Sequence, residues 1–166
     1  MLPWTDRLCN GLSADLFVAS DRQQKGDVMD IQTLPFHNRF GNYNLALAVE
    51  SYEDSGRLAV ELFCLEDGYP EPYAMLTVNL LGETVKPNEA FIKDFDENQG
   101  LLQFVLDNHL GTLCPEQGFS GLCSYPKIAF DMEKLKEFDR KGTEKYLHGA
   151  EKKQARTKAK HKRKER

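Results

Sequence analysis

Three residues that could hold a metal ion lie close together in the sequence. His109, Cys114 and Cys123 follow the spacing His-x4-Cys-x8-Cys. A structural zinc site nearly always contains two cysteines separated by roughly two to four residues, and that pair is absent here. A fourth ligand would have to come from Cys64 or His37, which are distant in the sequence. We therefore expect neither a metal site nor a cofactor.

Two side chains in the same region could act as nucleophiles. Ser120 lies in the sequence Gly-Phe-Ser-Gly, one residue shorter than the G-x-S-x-G turn of serine hydrolases, and Cys123 follows it. Both need a general base, but His148 and His161 belong to the basic C-terminal segment. No glycine-rich phosphate-binding motif occurs. We expect no catalytic residues and a protein that is not an enzyme.

Clustered carboxylates are the remaining candidates for acid–base or cation chemistry. They form three groups, each in a predicted turn: Glu53 with Asp54, Glu66 with Asp67, and Asp94 with Asp96 and Glu97. Acidic side chains are common in turns because they accept hydrogen bonds from nearby backbone N–H groups. A structural role therefore explains these groups without a ligand.

The net charge of −4 hides a strong asymmetry along the chain. Residues 29–139, here called the acidic body, contain 19 acidic and 7 basic residues, a net charge of −12. Residues 140–166 contain 3 acidic and 12 basic residues, a net charge of +9. Such asymmetry bears on binding partners rather than on the fold. The basic segment could remain solvated, contact a nucleic acid, or contact the acidic body itself.

The cations of the basic segment are the candidate nucleic-acid-binding residues. A dozen cations could release counterions from a duplex and give salt-dependent, sequence-independent affinity. Tyr146 is the only aromatic residue of the segment, so stacking on single-stranded bases is not expected. The candidates are Lys152, Lys153, Arg156, Lys158, Lys160, Lys162, Arg163, Lys164 and Arg166.

Alternation of apolar and polar residues predicts the strands that form the domain. Two runs, Asn44–Glu50 and Arg57–Cys64, each place apolar side chains on one face. A third strand is predicted over Tyr73–Leu80, and short strands over Glu89–Lys93 and Lys127–Phe130. The short connections between the first three favour an antiparallel meander.

Two amphipathic helices accompany these strands. The first carries an apolar stripe, is capped by Asp96 or Asn98, and ends at Gly111. Asp131 caps the second. Residues 114–126 form a loop or a bulged hairpin. The stripe consists of Leu101, Leu102, Val105, Leu106 and Leu110.

These elements predict an α+β domain over residues 40–140. It is an antiparallel β-meander with one or two added short strands, packed against one main helix, plus a C-terminal helix. Residues 141–166 are expected to be a disordered or frayed-helical tail. The predicted core consists of Leu47, Val49, Leu58, Val60, Leu62, Leu76, Val78, Phe91, Leu102, Leu106 and Phe130.

The N-terminal residues differ in character from the domain. Residues 1–28 show no sustained apolar period, so we expect a poorly structured extension, and Met29 is an alternative start. The start also lacks the features of a secretory signal, and no run of about 18 apolar residues occurs. We expect a cytoplasmic protein with no membrane association.

Three segments together resemble a known family. They are the strand sequence Thr-Val-Asn-Leu at 77–80, the sequence Asn-Glu-Ala-Phe-Ile-Lys-Asp at 88–94, and the region from Gly118-Phe119 to Tyr125-Pro126. Over about residues 40–132 the chain resembles an uncharacterised bacterial domain-of-unknown-function family, encoded on conjugative elements and phages of gut anaerobes. The family has no assigned catalytic residues that could be transferred to this chain.

The resemblance implies a small accessory protein of a mobile genetic element. In one hypothesis the acidic body binds an unidentified host or element-encoded protein, for example by presenting a DNA-like field to a defence nuclease. In the alternative, the basic tail binds DNA or RNA without regard to sequence. The oligomeric state is left open by the sequence.

Overall fold

The computed structural model of the protein describes residues 31–66 and 69–164. This part contains two antiparallel four-stranded sheets, with the strand orders β1-β2-β3-β4 and β5-β6-β8-β7. The predicted α+β class is confirmed. The strands are β1 (Leu34–Asn38), β2 (Gly41–Ser51), β3 (Leu58–Glu66), β4 (Tyr69–Met75), β5 (Thr77–Val78), β6 (Glu89–Ile92), β7 (Gly111–Ser120) and β8 (Cys123–Phe130), and the helices are α1 (Leu101–Asp107), α2 (Met132–Phe138) and α3 (Arg140–Lys164).

The expected N-terminal extension, with Met29, lies outside the described residues. Strand β1 precedes the predicted start of the domain at residue 40. The strand is short and contains Pro35, so the alternation that predicts a strand is not evident. Proline is nevertheless compatible with an edge strand. Gly41–Leu45 of β2 pair with β1, and within the described residues no strand pairs with the rest of β2 on that side, here called its open edge.

Strands β2 and β3 contribute the core residues that the sequence predicts for them. Leu47 pairs with Leu62 and Val49 with Val60, and all four are buried on one face. The same apolar cluster contains Ile92 of β6 and further residues from β8 and the three helices. The two sheets therefore share one core.

The predicted third strand is wrong in its second half. Residues 73–80 do not continue in one sheet, because the chain leaves the first sheet at Leu76 and enters the second at Thr77. The Leu76 N–H donates to the Val60 carbonyl at 2.9 Å, and the Val60 N–H donates to Thr77 Oγ1 at 3.1 Å. Local β-propensity cannot distinguish one straight strand from two strands joined at a sheet crossing.

Strands β7 and β8 form the bulged hairpin that residues 114–126 suggested. The register shifts between Leu113 and Gln117, a segment that includes Pro115. Gly118 is required for packing rather than for a turn, because a Cβ there would lie 2.8 Å from the Phe91 ring. Strand β7 forms the edge of the second sheet.

The start of helix α1 differs from the prediction. Asp96–Asn98 form a separate 3-10 turn without capping the helix. The cap comes from Asp94, whose Oδ1 accepts from the Gly100 N–H at 2.9 Å and from the Leu102 N–H at 3.0 Å. Gly100, with φ 99°, directs the chain into the helix.

The buried face of α1 is also rotated from the predicted stripe. Leu101, Phe104 and Val105 are buried, whereas Leu102 and Leu106 are half-buried against the core. The remaining core predictions are confirmed except for Val78, which is half-exposed. Each turn of the helix contains a second apolar residue, so the sequence is equally consistent with two apolar stripes.

Asp139 joins the two C-terminal helices to the open edge of β2. Asp131 caps α2 as predicted, through the N–H groups of Glu133 and Lys134. Asp139 Oδ1 accepts from the Gly142 N–H at 2.9 Å, while Oδ2 accepts from the Val49 N–H at 2.8 Å. A Cβ on Gly142 would collide with the Val49 carbonyl. One carboxylate thus caps both a helix and a strand edge.

Residues 141–166, expected to be a disordered or frayed-helical tail, are helical as far as Lys164. The first turns of α3 also belong to the core. Thr143 and Tyr146 are buried, and Leu147 and Ala150 pack against the core. The domain therefore extends about ten residues beyond the expected boundary at residue 140.

Removing the Asp139 carboxylate should destabilise the domain. We expect Asp139→Ala to lower the free energy of unfolding by about 2–3 kcal/mol, because two backbone N–H groups lose their acceptors. Gly142→Ala should be at least as harmful, since its Cβ meets backbone. Gly149→Ala is the matched control: no atom of the described residues lies within 4 Å of the new Cβ, and a gain of about 0.5–1 kcal/mol is expected. Urea denaturation measures all three, and an unchanged midpoint for Asp139→Ala would contradict the double-cap role.

Glu61 should make stability depend on pH. Burial, followed by the nearby Glu50 charge, raises the pKa of Glu61 from 4.5 to about 7, and within the described residues its buried Oε2 has no hydrogen-bond partner. The folded state therefore holds a proton that the unfolded state releases, so the free energy of unfolding should fall between pH 4.5 and 7. Glu61→Gln should remove this fall, a gain of about 1 kcal/mol above neutral pH after allowance for solvent screening. Glu50→Gln should weaken the fall, and identical melting profiles for wild type and Glu61→Gln would refute the assignment.

Candidate nucleic-acid interface

The first turns of α3, which pack against the core, determine where the basic residues leave the domain. The Tyr146 hydroxyl donates to the Pro87 carbonyl, and burial raises the pKa of Tyr146 to about 12. Lys153 Nζ donates to the Ser55 carbonyl in the turn between β2 and β3. Gly56, with φ 64°, completes that turn beside the lysine. These contacts anchor the helix at its root.

Beyond Ala150 the helix no longer packs against the core, although the Lys153 side chain still reaches the Ser55 carbonyl. Every residue from 151 to 163 is exposed. We call residues 151–164 the basic arm; at 1.5 Å per residue it is about 20 Å long. The arm contains eight Lys and Arg residues and one acid, Glu151, a net charge of +7.

The helix sorts the cations of the arm onto two sides. With about 100° of rotation per residue, five of the seven cations between 152 and 163 fall within an arc of about 100°. Lys158 and Lys162 lie on the other side. We call the five the basic stripe: Lys152, Lys153, Arg156, Lys160 and Arg163.

The described part of the structure provides no counter-charge for this stripe. The ion pairs there include one on α3, Arg140 with Glu144 at 3.0 Å, which precedes the arm. The arm contains no Phe, Tyr or Trp. It can therefore attract phosphates by charge, but it cannot stack on bases.

The candidate residues from the sequence are thus largely brought together by one helix. Lys164 is within α3, and Arg166 lies outside the described residues. Sequence reasoning missed the division between stripe and opposite side, although the i, i+4 spacing of Lys152, Arg156 and Lys160 signals it. It also missed Lys153 as an anchor, because a contact with Ser55 across nearly a hundred residues leaves no local pattern.

The other chemical candidates lie apart or have structural roles. Within residues 31–66 and 69–164, no three His, Cys, Asp or Glu side chains are grouped as a metal site requires. Cys114 lies in the bulged part of β7, whereas Cys123 begins β8 beside the hairpin turn. Ser120 pairs with Cys123 at that turn and is exposed.

His109 has a structural role at the C-terminus of helix α1, through its backbone conformation. The Leu110 N–H donates to the Val105 carbonyl and the His109 N–H to the Leu106 carbonyl, which is the Schellman pattern at a helix C-terminus. His109 occupies the left-handed position, with φ 53°, where glycine is usual. Helix α1 thus ends before Gly111, which begins β7, where a Cβ would collide with Ile128.

Together, the fold and the arm define an α+β domain with a protruding basic helix. The chain belongs to the family described as Domain of unknown function (DUF4313), which matches residues 46–149. The expectation of an uncharacterised domain family is confirmed. No curated protein and no solved structure matches the chain.

The family match ends at Gly149, one residue before the docked part of α3 ends. The basic arm therefore lies outside the matched region. Among the helices in the described residues, none has the length and apolarity needed to cross a membrane.

Glycine at position 109 should stabilise the domain. His109→Gly relieves a left-handed conformation without removing a buried contact, so a gain of about 0.5 kcal/mol is expected after the entropy of the unfolded chain is included. His109→Ala is the matched control, because alanine also loses the imidazole but keeps the strained backbone. Thermal melting distinguishes them: equal melting temperatures for both variants would show that backbone conformation is not the cause.

Proposed function

We propose that the protein is a non-enzymatic accessory protein that binds nucleic acid through the basic arm without regard to sequence. One observation carries the proposal: residues 151–163 form a fully exposed helical segment whose cations are concentrated in the basic stripe. A surface with this charge attracts a polyanion from solution. The phosphate backbone of DNA or RNA is the ligand class that fits it.

The composition of the stripe favours phosphate contact over base recognition. Three of its five cations are lysines, which act as point charges rather than as bidentate partners of a base. Affinity should therefore come from counterion release and fall steeply with salt. Double-stranded nucleic acid is the better ligand, because the arm contains no aromatic side chain for single-stranded bases.

The acidic body as a protein-binding surface is the second candidate. Glu53, Glu71, Asp96 and Glu116 are exposed and, in the described part of the chain, form no ion pair. They could meet a basic groove, for example that of a host defence nuclease. The resemblance to proteins of conjugative elements and phages supports this role and a cytoplasmic location.

The internal use of carboxylates makes this second candidate the weaker one. Nine carboxylates of the acidic body accept hydrogen bonds or form ion pairs inside the domain, so much of the acidic excess has a structural cause. They are Asp54, Glu89, Asp94, Glu97, Asp107, Asp131, Glu133, Glu137 and Asp139.

Fluorescence anisotropy with a random-sequence DNA duplex tests the main proposal. The full chain should bind with micromolar or weaker affinity that collapses between about 50 and 200 mM salt. Lys152→Gln/Lys160→Gln, on the stripe, should reduce the salt slope by about 2. Lys158→Gln/Lys162→Gln removes the same charge from the opposite side and should have a smaller effect.

Two results would decide against nucleic-acid binding. One is no binding at the lowest salt; the other is affinity that does not change with salt. A duplex of unrelated sequence should bind equally well, because phosphates are the contacts. If duplex binding is absent and a purified basic nuclease binds both double variants as well as wild type, the acidic body is the functional surface.

A further inference from the structure

Gly149 lies just before the basic arm, at a position where neither packing nor backbone conformation among the described residues requires glycine. Among the described residues, no atom lies within 4 Å of the position that a Cβ at Gly149 would take, and the Gly149 backbone does not occupy the left-handed region. Gly142, on the same helix, is required by close contact with Val49. Gly149 therefore lowers local helix stability without a packing reason, at the last docked turn.

The arm that follows is a helix held mainly from one end. It has 14 residues, about the length at which an isolated helix is marginal in water. Like charges lie four residues apart at Lys152, Arg156 and Lys160, and at Lys158 and Lys162, which weakens the helix. Lys153, through Ser55, is the contact that ties its first turn to the domain.

From these features we infer that Gly149 is a hinge, and that the arm becomes a stable helix when it binds double-stranded nucleic acid. This inference rests on the proposed function and adds a conformational step to it. Phosphates remove the repulsion that weakens the free helix, so binding and ordering reinforce each other. The arm is loosely helical when free and firmly helical when bound.

The shape of a double helix suits this coupling better than other anionic surfaces do. An α-helix with its side chains is about 10–12 Å across, and the major groove of B-DNA is about 12 Å wide. The phosphates that border the groove can neutralise the basic stripe. A membrane would require an apolar face, but the apolar residues of the arm are only Ala155 and Ala159.

Two variants of the full chain alter the helix without changing its charge. Gly149→Ala stiffens the hinge, and Ala155→Gly/Ala159→Gly loosens the arm without removing a cation of the basic stripe. Duplex affinity should rise about two- to fivefold for the first, which removes one glycine, and fall by up to about 15- to 30-fold for the second, which introduces two. The salt slope should be the same for all three proteins, because the number of phosphate contacts is unchanged.

Circular dichroism during titration with a random-sequence DNA duplex measures the ordering directly. Helical signal should increase to saturation in wild type, with a smaller increase for Gly149→Ala, whose free arm is already more helical. Single-stranded DNA and phosphatidylserine vesicles are the comparison ligands, and an equal increase with either would overturn the assignment to a double helix.

Failure of this inference is distinguishable from failure of the proposed function. Duplex binding with no change in helical signal, or with equal affinity for all three proteins, would overturn the hinge while leaving nucleic-acid binding intact. No duplex binding in any of them would overturn both.

Discussion

The position of helix α3 depends on the Asp139 carboxylate. Strand β2 extends beyond its partner β1, so in the described part of the chain no strand offers an acceptor to the Val49 N–H group. Asp139 supplies an acceptor to that N–H with one oxygen and to the start of α3 with the other. Because both bonds come from one side chain, the direction of α3 is fixed relative to the sheet. Gly142 allows the close approach that this arrangement requires.

The parts of the fold that the sequence predicts well are those governed by local patterns. Alternation placed Leu47, Val49, Val60 and Leu62 on the correct face, and Asp131 was identified as a cap from its position alone. The errors have non-local causes: the chain changes sheets at Leu76, where the alternation continues without interruption. The α1 cap comes from Asp94, separated from the helix by a turn that resembles a helix start.

The candidate interface was predictable in composition but only partly in geometry. Charge counting found the cations, yet it treated residues 141–166 as one tail. The structure divides that stretch at Ala150, because Thr143 and Tyr146 are buried and residues 151–163 are exposed. Isolated apolar residues among many charged residues give only a weak periodic signal. Their burial depends on a core that distant strands form, and the local sequence does not show that core.

The edge strand β7 has a consequence for behaviour at high protein concentration. Its outer edge would offer backbone groups to a strand from another molecule, and Leu113 and Phe119 are more than half exposed nearby. Pro115 lacks an N–H, and the register shift between Leu113 and Gln117 bends the strand at the same place. A flat, uninterrupted template for strand pairing is therefore missing along this part of the edge. This irregular stretch protects the domain from edge-to-edge aggregation.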